Sequence, residues 1–326
     1  MHESLPTLAD IEAARSRISA LARLTPVLRD EALDDEIGAR LFFKCENLQR
    51  VGAFKFRGAC NAVFALDDAA AARGVVTHSS GNHGAALAAA AALRGIAAHV
   101  VVPENANALK LRNIVDAGAT VHRCAPTLAA RETACAAIQR EHGAELVHPY
   151  ADVRVMAGQG TAALELIEDA GPLDALIVCA GGGGFLSGCA VAAKHLLPGI
   201  AVFGAEPERG NDMQQSLRSG QLVHIDVPRT ICDGQQTQSP GKHPFEVIRA
   251  LVTDVLTVPD PVVVEAMRFV FERMKLVLEP SGACALAALM HHRERFRGQR
   301  VGVTLSGGNI GIDRFVALVT GTERVD

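Results

Sequence analysis

The chain of 326 residues reads as an α/β protein with two domains, each built on an open parallel sheet. Three observations predict this. Short runs of consecutive apolar, β-branched residues alternate with alanine-rich helical stretches, the pattern of strands covered on both faces. Polar or glycine-rich clusters close several of the strands, and the length suits two domains of roughly 100–200 residues. The first element, within "MHESLPTLADIEAARSRISAL", has helical spacing with Thr7 or Pro6 as its start signal. "GVVTHSS" then precedes "NHGAALAAAAALRG", and "AAHVVVP" precedes "NALKLRNIVDAGA"; "ATVHRC", "ELVHP", "ALIVCA" and "AVFGAEP" continue the strands. The alanine run suits a buried helix lying close to a sheet. Residues 74–149 form a compact run of such units, the expected small domain. Residues 1–73 and 150–326 are expected to supply a larger sheet, discontinuous in sequence.

Composition removes several classes of function. Hydrophobic residues make up 49% and charged residues 21%, so disorder and coiled coil are excluded. A net charge of -4, no basic run, one Tyr and no Trp argue against nucleic acid and leave a small molecule as the partner. The eight cysteines include no C-x-x-C pair and mostly lie in apolar segments, as reduced core thiols do. No apolar run approaches about 18 residues without a break, and the N-terminus does not resemble a signal peptide. No membrane association is expected, and the expected location is the cytoplasm.

The chemistry starts at "GAFKFRGA", where Lys55 stands between Phe54 and Phe56. Such an ammonium either lies on the surface with its stem along the rings or is desolvated, which favours the neutral, nucleophilic amine. "IVCAGGGGFLSG" (177–188) places Gly181, Gly182, Gly183 and Gly184 between a strand and a helix, where backbone N–H groups can cradle an anion such as phosphate. The quartet fits neither G-x-G-x-x-G nor a Walker loop, which disfavours a nicotinamide enzyme. A tight turn with close helix packing is the plainer alternative. "THSSGNHG" (77–84) presents Ser79, Ser80, Gly81, Asn82 and His83 at another strand-to-helix junction, where Ser79 or Asn82 would serve equally well as a cap. "VGVTLSGGNIG" (301–311) ends a further strand with Ser306. Glu206 and Asp212, with the Gly210 carbonyl between them, form an oxygen-only set suited to Mg²⁺ or Ca²⁺, though acidic loop residues are commonly just solvated. Glu279 precedes a helix start, a position the helix dipole alone favours for a carboxylate.

Taken together and in order, "GAFKFRGA", "SSGNHG", the glycine quartet and "SGGN" resemble the fold-type II pyridoxal-phosphate enzymes, of tryptophan synthase β-like architecture. The likeness is to the serine/threonine dehydratase and serine racemase branch and covers nearly the whole chain. It implies that Lys55 holds pyridoxal 5'-phosphate covalently and moves protons at the substrate α-carbon. It also implies that Gly181 to Gly184 bind the phosphate, Asn82 the ring hydroxyl and Ser306 the pyridine nitrogen. Phe54 is implied to lie against the ring, Glu279 close to it, and the Ser79–His83 segment at the substrate carboxylate. A neutral Ser306 partner makes the ring a weaker electron sink than a carboxylate partner would, which suits β-elimination. Ser80 resembles the racemases' second acid/base, where many threonine dehydratases resemble "SAGNH". The Glu206, Gly210, Asp212 spacing resembles the family's metal site.

The expected activity is ammonia-lyase action on L-serine or L-threonine, with threo-3-hydroxyaspartate dehydration or serine racemisation as close rivals. A non-catalytic binding protein of the same fold is more remote. Arg131, or the loop "DGQQTQ" (233–238), could receive a second carboxylate, since arginine grips carboxylates in a forked geometry; Arg131 is equally placed to be a solvent-facing helix residue. The chain stops soon after "SGGN", so the regulatory domain of biosynthetic threonine deaminases and feedback by isoleucine are not expected. A homodimer is expected from the family.

Overall fold

The computed structural model describes residues 5–106, 108–323 and 325. The chain begins with α1 (Leu8–Ile18), β1 (Val27–Leu28), α2 (Glu31–Ile37), β2 (Arg40–Lys44), α3 (Lys55–Phe64) and α4 (Asp68–Ala72). It continues with β3 (Val75–His78), α5 (Asn82–Arg94), β4 (Ala98–Pro103), α6 (Ala108–Asp116), β5 (Thr120–Cys124), α7 (Leu128–His142) and β6 (Glu145–Leu146). Then follow α8 (Val153–Ala170), β7 (Ala175–Cys179), α9 (Gly184–Leu196), β8 (Ala201–Pro207), α10 (Asp212–Ser219) and α11 (Lys242–Leu251). The last elements are β9 (Asp254–Val258), α12 (Asp260–Phe269), α13 (Pro280–His291), β10 (Arg300–Thr304) and α14 (Ile312–Val319). Thr7 caps α1 in a reciprocal capping box with Asp10.

Two sheets result. The larger has the order β1-β2-β10-β7-β8-β9 and is parallel except for the short antiparallel β1. The smaller, β5-β4-β3-β6, is wholly parallel. A core lies on each face of the larger sheet, one built with α2, α12, α13 and α14, the other with α1, α8, α9 and α11. The unbroken valine run of β4 has the same cause. Val100 and Val102 face Ala85 and Ile114, whereas Val101 faces Cys135 and Ile138 on the other side. Helix α3, which begins at Lys55, packs its Phe56, Ala59 and Val63 into a core shared with Ala86, Leu87 and Val147.

Beneath α3 lies a buried ionic cluster that no motif announced. Arg57 and Glu46 are fully buried, with Arg57 Nε 2.7 Å from Glu46 Oε2. Arg57 also reaches Glu165 at 2.6 Å, as does Lys44, and the Thr25 hydroxyl donates to Glu46 at 2.6 Å. Burial pushes the Glu46 carboxyl up, but Arg57 beside it outweighs burial and holds it below the usual carboxylate range.

Candidate active site

The loops after β3, β7 and β10 meet over the carboxyl ends of their strands, the place where open parallel sheets bind ligands. They enclose a cavity of ≈ 640 Å³. Phe54, Lys55, Ser79, Ser80, Gly81, Asn82, His83, Arg131, Gly181, Gly182, Gly183, Gly184, Glu279 and Ser306 all line it. Tertiary packing therefore gathers segments separated by as many as 252 positions, Phe54 to Ser306, into one wall. Glu206, Gly210 and Asp212 lie outside this lining and touch it through Thr237, whose hydroxyl stands 3.2 Å from Asp212 Oδ2.

Lys55 Nζ donates to the Pro149 carbonyl at 2.8 Å and lies 5.1 Å from the centre of the Phe54 ring. No carboxylate pairs with it among the described residues, and burial lowers its pKa to about 8. The imidazoles around it are kept neutral. His148 is pushed down to about 4 by burial, with His78 and Lys55 adding to the effect, and His83 is driven well below its ordinary value by burial and then by Lys55. The result is an amine of which about a tenth is neutral at pH 7, far more than for an ordinary lysine, held in a pocket that resists further positive charge.

Gly183 has φ 93°, a left-handed turn that feeds the chain into α9 and suits glycine. The first N–H groups of α9 have no carbonyl within the helix to bond and belong to residues lining the cavity, so an anion would meet donors at the positive end of the helix dipole. A Cβ on Gly182 would lie 2.2 Å from the Tyr150 ring, so the cradle is closed to larger residues. Phe54 stacks on Phe185 with ring centres 3.9 Å apart, which fixes the residue preceding Lys55.

Elsewhere in the cavity wall, Asn82 Nδ2 donates to Glu279 Oε1 at 2.5 Å. Burial raises Glu279 to about 7, with Lys110 pulling it back; Lys110 Nζ lies 3.8 Å from its Oε2, which has no hydrogen-bond partner among the described residues. The Ser306 hydroxyl stands 3.4 Å from the Ser281 carbonyl and bonds the Cys179 thiol, which burial pushes up to about 11. Neither Ser79 nor Asn82 caps α5. Gly81 is the cap, with no side-chain bond, so the capping expectation fails and both side chains remain at the cavity. A phosphate cradle, a desolvated amine, an amide and a weakly engaged hydroxyl suit a phosphorylated pyridine aldehyde.

Tyr150, His78, His148 and Cys179 were not singled out from the sequence. His78 stands inside the quoted "THSSGNHG", and its adjacency to the serines was the available signal. Cys179 reads from the sequence as a core thiol, because a strand's period does not reveal which of its residues reaches a cavity. Tyr150 offered only its rarity.

Comparison with known proteins agrees with this geometry. The family model described as "Pyridoxal-phosphate dependent enzyme" matches residues 18–307. The L-threo-3-hydroxyaspartate ammonia-lyase of Saccharomyces cerevisiae is 48% identical over 319 residues, covering 98% of each chain. The serine racemase of Schizosaccharomyces pombe is 46% identical, over 95% of this chain and 96% of its own. The crystal structure of serine racemase from Dictyostelium discoideum superposes with a TM-score of 0.90 at 44% identity, covering 95% of this chain and 100% of that one. From the cradle, the half-buried amine and these matches it follows that the protein belongs to the fold-type II pyridoxal-phosphate-dependent enzymes, in the branch of ammonia-lyases and serine racemases.

Proposed function

We propose that the enzyme is an ammonia-lyase for β-hydroxy amino acids whose preferred substrate is threo-3-hydroxyaspartate, with serine and threonine as poorer substrates. The observation that carries this is Arg131. It lines the cavity, its Nε makes only a 3.4 Å contact to the Thr127 carbonyl, and no carboxylate pairs with it among the described residues. A second substrate carboxylate would satisfy its fork. The names of relatives such as the yeast ammonia-lyase support the same choice.

Bound pyridoxal phosphate would supply an electron sink for the substrate α-carbon. Gly181 to Gly184 would hold its phosphate, Asn82 its ring hydroxyl and Ser306 its ring nitrogen, with Phe54 against the ring and Glu279 close to it. Lys55 would carry it covalently, and Lys55 Nζ would take the α-proton. Ser79, Gly81 and His83 would seat the substrate's α-carboxylate. Ser80 Oγ would offer a second proton-handling group and so a route to racemisation as a side reaction. The β-hydroxyl would leave as water by taking the proton that Lys55 Nζ holds, giving an enamine that hydrolyses after release to a 2-keto acid and ammonia. Residues 74–149 would act as a small substrate-gripping domain against a large cofactor domain of 1–73 and 150–326, a division supported by the two separate sheets. We also place the enzyme in the cytoplasm as a homodimer. Among the described residues no helix is long and apolar enough to cross a membrane.

Keto-acid release should be measured for serine, threonine and both hydroxyaspartate diastereomers, in the wild type and in Arg131→Ala. The expected result is a loss of roughly 2–3 kcal/mol in kcat/KM for hydroxyaspartate and little change for serine. Equal losses for both substrates would refute the assignment.

Glu206, Asp212 and the Gly210 carbonyl would hold Mg²⁺ or Ca²⁺, completed by waters. Both carboxyls are pushed up by burial, Glu206 well above its ordinary value and Asp212 to about 7, and each lies without a cationic partner among the described residues. Met213 and Gln214 donate backbone N–H groups to Glu206. A carboxyl whose folded pKa exceeds its unfolded value weakens the fold as pH rises between the two, here from 3.8 to about 7 for Asp212. The cation should reverse that loss. At a hundredfold excess over Kd it should add about 2.7 kcal/mol above pH 7 and far less at pH 5, read as the shift in thermal midpoint. A shift independent of pH would count against the site.

A further inference from the structure

Asn309, in the loop after β10, uses one nitrogen twice. Its Nδ2 donates to the Val51 carbonyl at 2.7 Å and to Asn82 Oδ1 at 2.9 Å. A backbone carbonyl only accepts, so the Val51 contact decides which end of the Asn309 amide is nitrogen. The same NH₂ faces Asn82, which must therefore meet it with oxygen. The Asn82 NH₂ is left to donate to Glu279 Oε1 and toward the cavity that Asn82 lines. We infer that Asn309 is a positioning residue that fixes the Asn82 amide so that a donor meets the ring oxygen of the cofactor, an inference that rests on the cofactor reading above.

The backbone around Asn309 is shaped for this contact. Val51 has φ 54° and ψ 16°, a left-handed conformation that β-branched residues rarely adopt. At Gly52, with φ 71°, a Cβ would lie 2.5 Å from Asn309 Oδ1, so only glycine admits the asparagine there. The Gly308 N–H donates to the Gly52 carbonyl at 2.9 Å, and Ala53 bridges Gly307 in antiparallel fashion. This strip runs directly into Phe54 and Lys55. One side chain therefore ties the lysine's loop to the helix that carries Asn82.

A donor N–H stabilises an ionised ring oxygen, whereas a flipped amide would place oxygen against oxygen and favour the protonated hydroxyl. That proton balance is visible in the cofactor's absorbance without any turnover. Asn309→Asp keeps the shape and removes both donors. It should weaken the Kd for pyridoxal phosphate roughly tenfold and shift absorbance from the visible toward the near-ultraviolet band, with the titration between them moved to higher pH. In the pair Asn309→Ala with Val51→Gly, glycine adopts the left-handed backbone freely. The melting temperature should recover relative to Asn309→Ala alone while the displaced spectrum persists. A double variant with the wild-type spectrum would show that Asn309 acts only through the loop, and would overturn the role. An unaltered Asn309→Asp spectrum in a protein that loads normally overturns it as well and leaves the cofactor reading standing. Failure of the wild type itself to take up pyridoxal phosphate would instead bring down the cofactor reading, and the role of Asn309 with it.

Discussion

Lys55→Ala protein, mixed with pyridoxal phosphate, will show no borohydride-sensitive chromophore and will retain less than about one thousandth of wild-type keto-acid release, the scale of losing both a covalent anchor and a proton carrier. Phosphate held by the glycine cradle should persist, so the cofactor should still bind weakly and dialyse away. The wild type adds a pH test. With its pKa lowered to about 8 by burial, the amine should capture cofactor at a rate that climbs with pH and levels off above about 8. A climb continuing to the ordinary lysine range near 10.5 would mean that the amine is solvated, and the central role of Lys55 would be lost.

Arg57→Ala should be the most damaging change to stability. It would leave Glu46 fully buried, and Glu165 largely so, with only Lys44 to compensate. Breaking a buried pair costs about 3–5 kcal/mol because the remaining charge has no partner, and here one guanidinium serves two carboxylates. Arg57→Lys keeps the charge but cannot span both acids and should fall in between. Urea unfolding of the cofactor-free protein measures the loss directly. A change below about 1 kcal/mol, the size of an exposed pair, would show that the cluster is hydrated and contributes little. The cluster matters to the site because Arg57 stands two residues beyond Lys55 and ties the first turn of α3 to Glu46, in the turn after β2, and to Glu165 of α8.

Much of the α/β architecture was legible because its signals are local. The apolar run "ALIVCA" became β7 with every residue buried, and the alanine stretch became α5. The glycine quartet lies where a strand hands over to a helix, as its composition demanded. The two-residue β1 and the polar-edged β9, "DVLTV", escaped notice because neither carries a long enough apolar run. The packing of α3 was not legible either. Its apolar face shares a core with α5 and Val147 and also with Val155 of α8, a two-sided packing no helical period expresses.

The amino-acid sequence by itself determined the strand and helix alternation, the glycine-lined turn and the set of residues able to do cofactor chemistry, since propensity, backbone freedom and side-chain type act over a few positions. Only the tertiary structure decided which of those residues became reactive. Lys55 could equally have been a surface ammonium. It became a depressed-pKa amine because Pro149, His83 and His148, brought from 28 to 94 positions away, crowd its half-buried ammonium and strip part of its hydration. In the same way Arg131 could have faced solvent, and the fold turned it toward the cavity. Desolvation and charge pairing depend on distance in space, which sequence separation does not encode.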